Sequence, residues 1–481
     1  MKRVPMLPSL CALAALIVGC VDEGPSDGMP MGPSFQVQAG AVPNPVVTGP
    51  IPATAPPGSP THAYPFFAAA FDHAAAGYVE EEFFIEGTAR RYTLPDLATG
   101  TVLDDGHPFR TRMIVRRPTS KSDFNGTVVM EWQNATVGHD FDGLWLAGAG
   151  HFMRRGYALV AVSVQWWGVQ LPGLGLRSWS PDRYGTLDVT DGWTILDDAL
   201  AFDIFSQAAQ AIREPQGVDP MGGLGVKRII AAGISQGAGQ LARYHNSLQP
   251  LTGMFDAFLL MGGGGLIRTD LAVPVFKFYS ETDVVSTMTP QAPLRQPNTA
   301  HFRRWEIAGA AHVPFHFMQE FTRVRERDVG PLVLPSCDQP PQSRIPIQYP
   351  MNAAFDHLVD WVVRRSPPPV GNDIEIEPDL PLRVVRDADG NALGGIRLSQ
   401  HAVPTATNSG VNTPFADAWC RTFGFHLPFH QDRLNELYAS HQAYTSQVIE
   451  ATHAAQRAGY IVGHDAAETI SAAAQSDTGR R

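Results

Sequence analysis

Short apolar runs alternate with segments of helical periodicity through the middle of the chain. The runs span residues 127–132, 157–164, 226–232, 255–261, 275–279 and 302–307. Helical patterns lie around 144–155, from about 193 to 212, and from just after 232 to about 246. Unbroken apolar runs are typical of strands buried on both faces, so the alternation predicts a mainly parallel sheet with helices on both sides. Such sheets place their functional sites beyond the carboxyl ends of the strands.

The segments flanking this α/β pattern differ in character. Residues 78–92 and 109–115 resemble early, edge-type antiparallel strands, and the second alternates polar and apolar positions. The Ser-Pro-Pro-Pro run at 366–369 predicts a linker or a change of direction. A helical run follows at 431–458, and the small, polar residues from about Ala466 are expected to fray. We therefore predict a core at 42–365 and a C-terminal extension at 366–481 that caps it.

The N-terminus has the pattern of an export signal. Lys2 and Arg3 precede a mostly apolar stretch at 4–18, which is too short to span a bilayer, and Gly19 and Cys20 follow it. Residues 16–20 resemble a lipobox, which predicts a signal peptide at 1–19, an acylated Cys20 and a flexible tether at 20–41. The alternative is an ordinary signal peptide with an incidental cysteine. Lipidation would anchor the protein in the bacterial envelope, and the Val21 that follows Cys20 slightly favours the outer membrane.

Charge and cysteine content limit the partners. The net charge is −11, and no Lys/Arg-rich run occurs beyond the first residues, so nucleic acid is not expected as a partner. With the signal removed and Cys20 acylated, Cys337 and Cys420 are left, and an oxidising compartment favours a disulfide between them over two buried thiols. Neither cysteine has the CxxC or Cys/His spacing of a zinc site, so no zinc site is proposed. No metal or organic cofactor is predicted.

The Gly-x-Ser-x-Gly pattern occurs twice, in different contexts. Around Ser26 it lies in the predicted tether, without a strand before it or a helix after it. Around Ser235 it follows the apolar run at 226–232 and opens a helical segment. Strand, turn and helix are the setting of a nucleophile elbow, so Ser235 is the candidate nucleophile and the first match is attributed to chance.

A nucleophilic serine needs a base, and the base needs an acid that orients it. In this fold the acid and the histidine follow the serine in that order. Asp283 and Glu281 stand just past the run at 275–279, and His312 follows the run at 302–307. We predict Asp283 as the acid, with Glu281 as the alternative on the same turn. His316, four residues past His312, is expected either to support the catalytic residues without contacting substrate or to be a packing residue.

Two backbone amides are expected to hold an oxyanion. One belongs to Gln236, after the candidate nucleophile, and the other to Gln133 or Asn134, between which the sequence does not choose. Aromatic residues are expected over the strand ends, either for a large apolar or aromatic substrate or to pack a long loop: Trp132, Trp145, Trp166, Trp167, Trp179 and Tyr184. The four glycines at 262–265 predict a tight loop near the site rather than a phosphate cradle.

With these residues in place, the chain resembles a bacterial family of α/β-hydrolase-domain proteins from about Val46 to Asp465. The matching stretches are residues 64–67, 130–134, 179–185, 203–208, 232–236, 280–283, 309–312 and 390–397. The resemblance implies an α/β-hydrolase fold and a hydrolase activity, and it names no substrate. The extension after His312 departs from plain α/β-hydrolases, in which the histidine lies near the C-terminus.

Together these features predict a serine hydrolase that cleaves a small-molecule carboxylic ester through an acyl-enzyme on Ser235. Peptide bonds, lactones and acyl transfer are alternatives within the enzyme class, because the pocket selects among them. The alternative from another class is a non-catalytic envelope lipoprotein that keeps the fold to bind a ligand or partner. A binding protein would have no need for a serine, an acid and a histidine in this order.

Overall fold

The computed structural model describes residues 42–287, 289–377, 379–414 and 417–480, apart from the side chain of Ala418. These residues belong to one compact unit. The predicted signal peptide at 1–19, the candidate lipidation residue Cys20 and the tether at 20–41 lie outside the described residues.

The described residues form eleven strands, which are numbered in chain order. They are β1 (Val46–Thr48), β2 (Tyr78–Tyr92), β3 (Val102–Pro118), β4 (Thr127–Trp132), β5 (Ala158–Val162), β6 (Arg228–Ile234), β7 (Ala257–Met261), β8 (Val275–Ser280), β9 (Phe302–Ile307), β10 (Ala406–Ser409) and β11 (Phe425–Pro428).

In the described part of the chain, fifteen α-helices connect and follow these strands. They are α1 (Gly143–Arg155), α2 (Trp166–Gln170), α3 (Leu176–Trp179), α4 (Pro181–Tyr184), α5 (Ala201–Arg213), α6 (Gln236–Ser247), α7 (Gln249–Thr252), α8 (Glu281–Val285), α9 (Phe315–Asp328), α10 (Gln348–Arg364), α11 (Ser399–Ala402), α12 (Ala418–Phe423), α13 (Gln431–Leu437), α14 (His441–Arg457) and α15 (Gly463–Gln475). Two 3-10 turns lie at Ala74–Ala76 and Ala292–Leu294.

Nine strands form the central sheet in the order β1-β2-β3-β5-β4-β6-β7-β8-β9. Antiparallel pairs join β1 to β2, β2 to β3 and β3 to β5. The six strands β5, β4, β6, β7, β8 and β9 run parallel to one another. The predicted α/β-hydrolase fold, with antiparallel strands at one edge, is therefore confirmed. A second sheet pairs β10 with β11.

Alternate residues of the strands feed two cores on opposite faces of the sheet. On β4, Val128 and Met130 join the cluster that contains Phe202 of α5. Val129, between them, joins the cluster that contains Phe152 of α1 and Phe355 of α10. Because side chains alternate along a strand, helices on both faces require the unbroken apolar runs seen in the sequence.

Two predicted helices have different bounds in the structure. The helix expected from about residue 193 begins at Ala201, because Asp191, Trp193 and Asp198 adopt positive φ angles that a helix excludes. The helical run predicted at 431–458 is broken between α13 and α14, where Ser440 caps the second helix by accepting a bond from the amide of Ala443.

The extension predicted at 366–481 contacts the sheet directly. Ile396 forms a parallel bridge with Ile307 of β9, and Trp305 on that strand donates its indole N–H to the carbonyl of Pro369. The expectation of fraying from about Ala466 is wrong, because α15 continues to Gln475 and buries Thr469 and Ala473. Within the part of the chain that the structure describes, every helix is too short or too polar to traverse a membrane.

Candidate functional site

Ser235 lies at a sharp turn between β6 and α6. Its backbone has φ 56° and ψ −112°, which is a strained conformation for a residue with a Cβ. Its amide donates to the carbonyl of Met261 at 2.7 Å, and its carbonyl accepts a bond from the amide of Gly239 at 3.0 Å. These bonds hold the serine at the carboxyl edge of the sheet, as a nucleophile elbow requires.

Close backbone packing explains the glycines that flank the serine. A Cβ on Gly233 would lie 2.8 Å from the carbonyl carbon of Gly237. A Cβ on Gly237 would lie 2.6 Å from the carbonyl oxygen of Trp132 at the end of β4. Strand and helix therefore approach too closely here for any larger residue.

Asp283 and His312 meet beside this turn. Nδ1 of His312 lies 2.6 Å from Oδ1 of Asp283. The other carboxylate oxygen, Oδ2, accepts bonds from the amide and the hydroxyl of Ser280 at 2.8 and 2.6 Å. The amide of Asp283 donates back to Oγ of Ser280 at 3.3 Å, so the two residues form a capping box at the start of α8. The carboxylate is therefore fixed from one side and presents its free oxygen to the imidazole.

Glu281, the alternative acid, is directed elsewhere. Its Oε1 accepts bonds from the guanidinium of Arg386 at 2.6 Å and the amide of Gly410 at 3.1 Å, and its Oε2 accepts from the amide of Gly309 at 2.9 Å. The side chain is fully buried. The structure therefore brings Asp283, and not Glu281, to His312.

The environment of His312 shifts its acidity. Burial alone lowers the pKa of an imidazole, but here the charge of Asp283 and the hydrogen bond to it outweigh burial and raise the pKa of His312 above its usual value. The backbone of His312 is also fixed, because its amide donates to Oγ1 of Thr282 at 3.0 Å. No hydrogen bond joins Ser235 to His312 among the described residues, and such contacts are often long before substrate binds.

The glycine loop predicted at 262–265 supports the imidazole. Gly262 has φ +66°, and a Cβ there would lie 2.9 Å from Cε1 and 3.0 Å from Nδ1 of His312. Its amide donates to the carbonyl of Phe278 at 2.8 Å. The loop is thus a tight turn against the histidine.

The candidate oxyanion donors lie on two adjoining segments. The amide of Gln236 is the first of α6, so it has no partner within the helix. The amide of Gln133 is directed to the carbonyl of Val162, 3.5 Å away, whereas Asn134 lines the same cavity as Ser235. The side chains tie the two segments together, because Asn134 Nδ2 donates to the carbonyl of Ile234 at 3.2 Å and Gln236 Oε1 accepts from the amide of Ala135 at 3.2 Å.

Ser235, Asp283 and His312 line one cavity of about 730 Å³, which we call the Ser235 cavity. Much of its apolar lining comes from the loop after β4, from α2 and the turn after it, from α9 and its flanking residues, and from α12. These residues are Val137, Phe141, Trp167, Leu171, Leu174, Val313, Phe317, Phe321, Leu332 and Trp419. A large apolar or aromatic group would fit such a lining.

Most of the aromatic residues singled out in the sequence serve packing instead. Of the six, Trp167 alone is in the lining of the Ser235 cavity, and its side chain is partly exposed. Trp132 packs on Phe202 and Phe205, and Trp179 stacks on His62. Phe317 and Phe321 of α9 line the cavity but were not predicted to do so, although they stand four positions apart just after His312. His316 also lines the cavity.

Cys337 and Cys420 form a disulfide with a Cα–Cα distance of 5.5 Å. The bond ties the segment after α9 to α12, where Trp419, Arg421 and Thr422 line the Ser235 cavity. Within the described residues, one group could hold a metal ion, His464, Asp465 and Glu468 on α15, and none of its members lines that cavity.

Comparisons with solved structures return distant likenesses. An α/β serine hydrolase without a lid from Xanthomonas campestris is 14% identical, with 51% of this chain and 97% of that chain covered at a TM-score of 0.27. Acetyl xylan esterase 1 from a Thermoanaerobacterium species is 12% identical, with 50% and 78% covered at a TM-score of 0.27. A sequence search of curated proteins found no match.

The family comparison covers nearly the whole described chain. A family model described as an alpha/beta hydrolase domain matches residues 47–471. The match includes Ser235, Asp283 and His312, and it also includes the extension beyond residue 366. The chain therefore belongs to the alpha/beta hydrolase domain family.

Proposed function

We propose that this protein is a serine hydrolase that cleaves carboxylic esters through an acyl-enzyme on Ser235. The observation that carries the proposal is the 2.6 Å contact between His312 and Asp283, in the same cavity lining as the strained Ser235. A serine hydroxyl becomes a nucleophile only beside an oriented base, and this arrangement supplies the base with its orienting acid. The apolar lining supports an ester with a bulky hydrocarbon or aromatic part.

In the proposed reaction, Oγ of Ser235 attacks the ester carbonyl while Nε2 of His312 takes its proton. Asp283 holds the ring through Nδ1 and stabilises the imidazolium. His312 then protonates the departing alkoxide, so the C–O bond breaks and the alcohol leaves. A water molecule, deprotonated by His312, attacks the acyl-enzyme and releases the carboxylic acid, and the proton returns to Ser235.

The tetrahedral intermediate carries a negative oxygen that needs donors. We assign these to the amides of Gln236 and Asn134, because the amide of Gln133 is directed to the carbonyl of Val162. The side-chain bonds of Asn134 and Gln236 between the two segments keep the two amides in register. Loss of one such donor typically costs about 10²–10³-fold in kcat.

The test is active-site labelling of the purified protein with a fluorophosphonate, followed by peptide mapping. We expect a single adduct on Ser235, lost in Ser235→Ala and His312→Ala. Ser286→Ala and His316→Ala are matched controls, because both residues line the same cavity, and both variants should label. Hydrolysis of p-nitrophenyl esters should follow the labelling. A well-folded protein that neither labels nor hydrolyses any ester would replace the proposal with ligand binding by an inactive fold.

We further propose that the protein is anchored in the cell envelope by acyl chains on Cys20, which follows the apolar stretch at 4–18. Several chains, at about 0.8 kcal/mol per buried methylene, would give a durable anchor. Radiolabelled palmitate should enter the wild type and not Cys20→Ser. Recovery of the unlabelled wild type in the soluble periplasmic fraction would contradict the anchor.

A further inference from the structure

One face of α9 leads away from the candidate catalytic residues. Phe317, Phe321 and Arg325 recur every four positions, so they share this face, and all three line the Ser235 cavity. The rings of Phe317 and Phe321 stack with centroids 5.5 Å apart, and Phe141 packs on Phe321. At 1.5 Å rise per residue, Arg325 lies about 12 Å along the helix axis from Phe317. The face therefore runs from an apolar surface beside His312 to a guanidinium.

Arg325 differs from its neighbours on α9. Arg323 pairs with Glu320 at 3.4 Å, and Arg327 pairs with Asp328 at 2.7 Å. Arg325 donates from Nη1 to the carbonyl of Gly330 at 2.6 Å, and within the described part of the chain it has no carboxylate partner.

The cavity lining around it carries little negative charge. Asp283 is the one carboxylate among the described residues that line the cavity, and it is bound to His312. The cavity thus offers positive charge at one end of an apolar surface.

We infer that the Ser235 cavity accepts an ester whose apolar body ends in a carboxylate, and that Arg325 binds this carboxylate. The inference rests on the proposed ester hydrolysis at Ser235. A guanidinium matches a carboxylate with two parallel hydrogen bonds, which are strong where water is excluded. The stacked rings of Phe317 and Phe321 would contact the hydrocarbon between the two ends.

The experiment compares matched esters. Mono-p-nitrophenyl esters of dicarboxylic acids, from glutaric to dodecanedioic acid, are measured beside methyl-ended p-nitrophenyl esters of equal chain length. We expect a higher kcat/KM for the carboxy-ended ester at one preferred length. Arg325→Met should reduce that preference by about 10- to 100-fold, through a lower kcat/KM for the carboxy-ended ester.

Two variants separate binding from structure. Arg323→Met removes an arginine from the same helix whose side chain is 58% exposed, and it should keep the preference. Arg325→Lys retains the charge and should restore part of the preference lost in Arg325→Met. Equal preference in the wild type and Arg325→Met would overturn the inference, as would a wild type that favours methyl-ended esters at every length. If a phosphonate-ended ester has a higher kcat/KM than its carboxy-ended match, the group inferred to bind Arg325 would be a phosphate group instead of a carboxylate.

Failure of the proposed hydrolysis has a different signature. Methyl-ended esters carry no free carboxylate, so their turnover by the wild type and by Arg323→Met reports the chemistry at Ser235. If no ester is turned over, calorimetric titration of Ser235→Ala with sebacic acid monomethyl ester and with methyl decanoate still decides the inference. Tighter binding of the acid, lost in Ser235→Ala combined with Arg325→Met, supports the carboxylate site, and equal binding of the two ligands refutes it.

Discussion

Oδ1 of Asp283 lies 2.6 Å from Nδ1 of His312, while Oδ2 of the same carboxylate is held by Ser280. The two oxygens therefore have a division of roles, since Oδ2 fixes the side chain to the start of α8 and Oδ1 orients the imidazole. This division explains how a side chain on a short helix, α8, can act as a fixed partner of a histidine on another loop.

Replacing Asp283 with Asn should abolish most of the activity. An amide at this position favours the wrong tautomer of His312, and in a serine protease the equivalent change costs about 10⁴-fold in kcat. Steady-state kinetics on a p-nitrophenyl ester will measure the loss, with the melting temperature as a control for folding. A variant that keeps more than about a tenth of the wild-type kcat would show that another residue orients the histidine.

Replacing Glu281 with Gln should affect stability and not catalysis. Its carboxylate accepts bonds from Arg386 of the extension and from the amides of Gly309 and Gly410, which an amide matches only in part. We expect a loss of about 1.5–3 kcal/mol in the free energy of unfolding, measured by urea denaturation. The folded variant should retain kcat. A loss of kcat comparable with that of Asp283→Asn, at unchanged stability, would contradict this assignment.

Gly262 is expected to tolerate no side chain. The Cβ of alanine would overlap the His312 ring, 2.9 Å from Cε1, and would also require φ +66°. Because a shift of about 1 Å in a reacting group can cost 10²-fold, kcat of Gly262→Ala should fall by about that factor. Gly265→Ala is the matched control in the same loop, since a Cβ there meets nothing within 4 Å. Equal activity of the two variants would refute the steric argument.

The sheet and the order of the site residues were predictable because both follow from local pattern. Unbroken apolar runs predicted β4 to β9, and the run at 302–307 coincides with β9. The Gly-x-Ser-x-Gly pattern around Ser235 predicted a nucleophile elbow because a strand was expected before it and a helix after it. Asp283 was predicted as the acid, but Glu281 stayed open as the alternative, because both stand on α8 and their partners come from distant parts of the chain.

Contacts distant in sequence explain the other gaps. The motif at 179–185 serves a buried ion network, in which Arg183 and the hydroxyl of Tyr184 bind Glu82 of β2. Nothing in its composition distinguished that role from substrate binding. The extension was expected as a cap, and it also contacts the helix that carries Asp283, because the carbonyl of Gly410 accepts a bond from the hydroxyl of Thr282. No local periodicity predicts such a contact.

Loss of the disulfide between Cys337 and Cys420 should lower stability and loosen the cavity. The bond spans 83 positions, and bonds that close long loops typically stabilise proteins by about 2–4 kcal/mol. The double variant Cys337→Ser with Cys420→Ser should unfold at lower urea concentration. Because Trp419 of the cavity lining adjoins Cys420, KM for aryl esters should rise more than kcat falls. An unchanged unfolding midpoint under oxidising conditions would contradict a structural role for this bond.

The dependence of activity on pH should report the contact between Asp283 and His312. His312 acts as a base only when it is neutral, so kcat/KM should fall as the pH drops through its pKa. Burial opposes a raised pKa, but the charge of Asp283 and the hydrogen bond to it prevail. The acid limb of the wild-type profile should therefore lie above the usual range of histidine.

In Asp283→Asn the charge is gone and burial is unopposed, so the limb of the residual activity should move to lower pH. His316→Asn should leave the limb in place, although His316 lines the same cavity. A limb that stays fixed in Asp283→Asn would show that a group other than His312 controls the profile.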